Sequence, residues 1–119
     1  MSAYSLLGSL WNRWDLHFHT PSSFDYEDKS ISNQQIVDSL IQTGLRVIAI
    51  TDHHTMDVGR IQELQILGAG KLTILPGIEL RDEHGGEPIH YICLFPEDCD
   101  LVHVWTTLQG RLGLTTTAI

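Results

Sequence analysis

The chain has 119 residues and a formal net charge of −8, with seven Lys and Arg against fifteen Asp and Glu. That length suffices for one modest domain with a real core. The charge argues against a free-standing nucleic-acid binder, because phosphate affinity rests on Lys and Arg. No apolar run is long enough to span a bilayer and the start lacks the basic-then-apolar pattern of a secretory signal, so no membrane and a cytoplasmic location are expected.

In chain order, a first strand is expected at residues 13–18 and a loop rich in Ser, Pro and Asp at 20–30. Ser32 opens a helix. Gln35, three residues on, completes a capping box, and Ile31 with Ile36 offers a hydrophobic staple. Ile36, Val37, Leu40 and Ile41 form one apolar face, and Gly44 is a good terminator. Arg46 to Ile50 reads as a short buried strand. Asp57 caps a second helix with Val58, Ile61, Leu64 and Leu67 inward, ended by Gly68 and Gly70. Leu72 to Leu75 is the third strand. Residues 83–88 form a turn with Gly85 and Gly86 at its tip, and Ile89 to Phe95 is the fourth strand. Leu101 to Leu112 is the last helix, with the acidic stretch Glu97-Asp98-Cys99-Asp100 at its N-terminus, where negative charge is favourable. Cys93 reads as a buried free thiol, and Cys99 completes no disulfide framework. Trp11 and Trp14 read as packing residues.

Strands alternating with helices imply an α/β fold with parallel strands and crossover helices. In such folds the working groups gather at the carboxyl ends of the strands. His17 and His19 close the first strand in Asp15-Leu16-His17-Phe18-His19-Thr20. Residues i and i+2 of a strand share a face, so both imidazoles can reach one metal ion. Asp52 and His53 follow the second strand and Glu79 the third; His90 is the exception, near the start of the fourth. Imidazole and carboxylate together suit zinc, manganese or iron. Asp15 and Asp52 are placed to orient the imidazoles by hydrogen bonds. His54, His84 and His103 read as non-ligands, His84 in a solvated turn.

Four segments together carry a family resemblance: Asp15 to Thr20, Ile50-Thr51-Asp52-His53, Leu75-Pro76-Gly77-Ile78-Glu79, and Ile89-His90-Tyr91-Ile92. In this order and spacing, over residues 13–95, the chain resembles the polymerase-and-histidinol-phosphatase (PHP) family of metal-dependent phosphoesterases. The resemblance implies the amino-terminal part of a distorted (β/α)7 PHP barrel, holding two or three divalent ions (Mn, Zn or Fe). It implies metal-ligand roles for His17, His19, His53, Glu79 and His90. Asp25 matches a position that is Asp or His in the family, although a loop Asp among Ser and Pro is also a common turn former.

The implied function is hydrolysis of phosphodiester or phosphomonoester bonds. The loop Thr20-Pro21-Ser22-Ser23-Phe24-Asp25 and the exit Cys93-Leu94-Phe95-Pro96 further resemble amino-terminal PHP domains of bacterial SMC-like or AAA-like ATPases. That match implies a nuclease in an ATPase-linked, phage-defence assembly, its nucleic acid held by another domain. The family's later ligands, a His or Cys and an Asp-x-His, have no counterpart after His90. Residues 1–119 are therefore expected to be a partial PHP domain, the rest of the barrel lying beyond residue 119 or in another chain. The alternative is a non-catalytic PHP-like module that keeps part of a metal site and regulates or scaffolds a partner. Four strands leave open sheet edges, so self-association is expected.

Overall fold

The structure, a computed structural model, describes residues 12–23, 29–82 and 89–114. Its elements run β1 (Arg13–Phe18), α1 (Asn33–Gln42), β2 (Leu45–Ile50), α2 (Val58–Gly68), β3 (Thr73–Asp82), β4 (Ile89–Leu94) and α3 (Leu101–Leu112). Ser32 accepts from the backbone N–H of Gln35 while the Gln35 side chain accepts from the N–H of Ser32, so the capping box is complete. Gly44, at φ 84, takes the left-handed turn that leads out of α1 into β2. Asp57 and Asp100 cap α2 and α3 through the backbone N–H groups of Arg60 and His103.

The four strands form one curled sheet in the order β1-β2-β3-β4, half of a barrel wall. The β1–β2 and β2–β3 pairs are parallel, as the two helical crossovers require. The β3–β4 pair is antiparallel, which corrects the expectation of parallel strands throughout. The physical reason is the connection. Residues 83–88 are too few for a crossover, which needs about a dozen or more, whereas a hairpin needs only a turn.

A second correction concerns β3, which does not stop at Leu75 but continues through Pro76 and Gly77 to Asp82. Pro76 is tolerated because it meets β4 only at the end of the ladder, where its carbonyl accepts from Phe95 N–H at 2.8 Å. β1 pairs with β2 through register shifts, one of them between Asp15 and Phe18. Such a bulge re-aims side chains, and this one lies in the interval that holds Leu16 and His17.

The core lies between the sheet and the helices. Ile48 and Ile50 of β2 with Ile74 and Ile78 of β3 meet Ile36, Val37 and Leu40 of α1, Ile61 and Leu64 of α2, and Leu101 and Trp105 of α3. Period-two alternation then turns Gly77 and Glu79 to the opposite, concave face. Cys93 is a free thiol but only half-buried. Trp14 is 61 % exposed rather than packed. It stands on β1, one edge of the described sheet, while Ile89, Tyr91, Ile92 and Leu94 are exposed on β4, the other edge. Trp11 lies outside the described residues, and no described helix is long and apolar enough to cross a membrane.

Candidate metal centre

One carboxylate organises the site. Glu79 is 1 % exposed, and imidazoles from three other strand ends and loops converge on it. Its Oε1 lies 2.6 Å from His17 Nε2 and 2.9 Å from His19 Nε2. Its Oε2 lies 2.6 Å from His90 Nδ1 and 3.7 Å from His53 Nδ1. The His19 and His53 rings stand 4.5 Å apart between centroids, and those of His17 and His19 5.1 Å apart.

Each side chain is delivered by an element already described. β1 presents His17 and leads into His19, the β1 bulge letting both rings reach Oε1. Beyond β2, the backbone still tracks β3: Glu79 N–H donates to Asp52 O at 3.0 Å and His54 N–H donates to Glu79 O at 2.9 Å. His53 is thereby bridged to Glu79 and buried. The hairpin register places His90 opposite Arg81, so it is the diagonal neighbour of Glu79 on one face. The apparent misfit of His90, a strand-start residue among strand-end residues, disappears once β4 runs backwards.

The two carboxylates expected to orient imidazoles bond the segments that carry them. Asp15 Oδ1 accepts from the backbone N–H of His17 at 3.0 Å. Asp52 accepts from Thr20 twice, from its N–H at 2.6 Å and its Oγ1 at 2.7 Å, which clamps the chain just past His19. Thr20 and Ser23 are both fully buried. Ser23 Oγ accepts from His53 N–H at 3.3 Å. Asp25 and His84 lie outside the described residues. His54, at φ 55, holds its place through its backbone, and His103 is exposed on α3.

Burial pushes the Glu79 carboxyl up, but hydrogen bonds from His17, His19 and His90 outweigh it and hold the group at about 2. Glu79 is therefore a carboxylate at every physiological pH. Asp52 goes the other way. Burial raises it to about 6, against the hydrogen bonds from Thr20.

Asp52 should therefore leave a mark on stability. Its folded pKa lies above the ordinary 3.8, so its contribution is full below that value and is lost as pH rises through about 6. In chelator, wild type is expected to lose on the order of 3 kcal/mol on this account as pH climbs from about 4 to 7, at roughly 1.4 kcal/mol per unit. Asp52→Asn should remove that slope. Urea midpoints of the two proteins across this range check it, and parallel pH profiles would contradict it.

The donor set fits a divalent transition ion. The ligand atoms of His17, His19 and Glu79 all lie within 4.8 Å of one another. Imidazole nitrogens with a carboxylate form a borderline nitrogen and oxygen set. Thiolates, the usual ligands of a closed structural zinc site, take no part in the cluster. A cavity of about 510 Å³ opens between Ser22, Thr55 and Met56, the start of α2, and Trp105.

No protein-family model and no curated protein sequence matches the chain. Among solved structures it is similar to an amidohydrolase from Chromobacterium violaceum, determined with bound sulfate and no metal, at 24 % identity and a TM-score of 0.57. It is also similar to a protein from Bifidobacterium adolescentis assigned as a metal-dependent phosphoesterase, at 22 % identity and a TM-score of 0.56. Each match covers 84 % of this chain and 34 % of the other, so the chain spans about a third of their length. At these identities the likeness is one of fold.

Proposed function

We propose that this chain carries the metal centre of a metal-dependent hydrolase that cleaves phosphoester bonds. The observation that carries the reading is the convergence of four imidazoles on the two oxygens of one buried carboxylate. His17, His19, His53, His90 and Glu79 would hold the ions, and the two Glu79 oxygens, each already facing two rings, are disposed to serve more than one. Asp25 completes the proposed ligand set by the family resemblance. When bound, divalent ions neutralise phosphoryl oxygens and lower the pKa of water toward neutrality.

The chain's own residues supply the rest. Glu79 stays ionised at working pH, so its charge is available without a proton to remove. Asp52 and Thr20 keep the His19 and His53 segments together. His17 and His90, with side chains 53 % and 43 % exposed, form the open side through which a substrate would enter. Of the two fold neighbours, one is assigned as a phosphoesterase, and the other, though an amidohydrolase, holds sulfate, a tetrahedral anion of phosphate's shape. The first of these supports phosphorus as the centre attacked.

A nuclease in an ATPase-linked, phage-defence assembly is the finer form of the proposal, supported by the resemblance of residues 20–25 and 93–96. With only seven Lys and Arg, the grip on nucleic acid would come from another domain or chain. The test is an assay with and without Mn²⁺ on p-nitrophenyl phosphate, bis(p-nitrophenyl) phosphate, single-stranded DNA and an N-acyl amino acid. Release of p-nitrophenol that needs Mn²⁺ and stops with chelator is expected. Turnover of the amide alone would shift the reading to amide hydrolysis, and silence on all four, with metal bound, to the non-catalytic module.

A further inference from the structure

Arg60 stands in the first turn of α2, where a positive charge opposes the helix dipole. A residue kept in an unfavourable place has partners, and this one has three. Its Nε donates to Ser22 Oγ at 2.7 Å, its Nη1 donates to Asn33 Oδ1 at the start of α1 at 2.6 Å, and Asp57 Oδ2 lies 3.7 Å from Nε. The Ser22 hydroxyl in turn donates to Asp57 Oδ2 at 2.7 Å. Ser22 N–H donates to Thr20 Oγ1 at 3.1 Å, and that hydroxyl donates to Asp52 Oδ2 at 2.7 Å. A continuous series of polar contacts therefore runs from Arg60 to Asp52. It ends between two ligand candidates, because Thr20 follows His19 and Asp52 precedes His53.

We propose that Arg60 is a positioning residue for the metal centre. It pins the start of the β1–α1 loop to both helices and, through Ser22, Thr20 and Asp52, sets how far His19 stands from His53. The proposal rests on the reading of the cluster as a metal site. Lys29 also holds this loop, through the carbonyls of Pro21 and Ser23, but it reaches from the loop's own far end. Arg60 ties the loop to α1 through Asn33 and reinforces the direct Ser22–Asp57 tie to the N-cap of α2. The role needs a guanidinium, because Nε and Nη1 point to two partners in fixed directions, and a single ammonium cannot reproduce that fork. Arg60 also lines the 510 Å³ cavity, so a shorter side chain opens onto existing space.

The test uses Co²⁺ alone as probe, titrated into metal-free protein and followed by its d–d absorption, with Tm measured in parallel. Arg60→Ala and Arg60→Lys are expected to weaken Co²⁺ binding about tenfold, the low end for groups outside the ligands, and to shift the absorption band. Ser22→Ala should do the same, and Arg60→Ala with Ser22→Ala should be no worse than either alone, because the two act in series. If Arg60→Ala fails to fold, Arg60→Lys, which keeps the charge, decides the matter. A lowered Tm with wild-type affinity and an unmoved band would overturn the proposal, leaving Arg60 a support of the fold. Wild type that binds no Co²⁺ would overturn the metal reading itself, and the proposal with it.

Discussion

Glu79→Gln is expected to strip the chain of bound metal and of any hydrolytic activity that depends on it. The substitution keeps the side chain's shape and removes its charge. Two consequences combine at one atom. The amide NH₂ would face imidazole nitrogens where a carboxylate oxygen now stands 2.6 Å away. The buried cluster would also lose the negative charge that offsets a cation. Replacing a group outside the ligands costs about 10–100-fold in metal affinity, and a direct carboxylate ligand costs more than that. His17→Ala with His19→Ala should match the loss, since those rings share one Glu79 oxygen. His103→Ala, exposed on α3, should leave metal content as it is. Elemental analysis after gel filtration reads all of these, and an unchanged metal content in Glu79→Gln would remove the centre from the argument.

The second large effect is expected at Gly77, two residues from Glu79 on the same face of β3. A Cβ there would stand 2.8 Å from the Cys93 carbonyl oxygen, 2.9 Å from the Ile50 carbonyl oxygen and 3.0 Å from Leu94 Cδ2. The first two are backbone atoms of the neighbouring strands, so nothing nearby can rotate away. Gly77→Ala should destabilise by about 3 kcal/mol, the upper part of the range for overpacking. For a domain of this size that is a fall in Tm on the order of 10 °C. Because relief would push β3 away from β2 or β4, metal affinity should fall as well. Thermal unfolding with and without Mn²⁺ checks both, and a wild-type Tm in Gly77→Ala would show that the strands yield freely.

What was legible in the sequence was periodic or punctuated. His17 and His19 stand out because strand period two writes a shared face as a two-residue spacing. The caps at Ser32, Asp57 and Asp100 are legible because a polar residue just before an apolar rhythm has one local use. The direction of β4 departs from the alternating pattern, and the short 83–88 connection is its signal. The length of β3 is hidden because Pro76-Gly77 looks like a breaker, and only the end of the β4 ladder makes it admissible. Thr20, Ser23 and Arg60 left no periodic trace. Their long-range bonds reach across 27 to 38 residues, and only Arg60, a cation in the first turn of a helix, carries a local sign of a distant partner. Asp15 and Asp52 stand near the site, where Asp15 holds the backbone of His17 and Asp52 the backbone and hydroxyl of Thr20.

The reversed fourth strand also gives the centre two clocks. Glu79 and His90 lie 11 residues apart and are joined by one hairpin, whereas His17 and His19 lie 62 and 60 residues from Glu79. Hairpins close in about 1–10 μs, while contacts between distant segments wait for long loops to close. The Glu79–His90 half of the cluster is thus a local folding product. The β1 half arrives only when both crossovers have docked, so the kinetics of β1, more than those of the hairpin, govern when the cluster is whole.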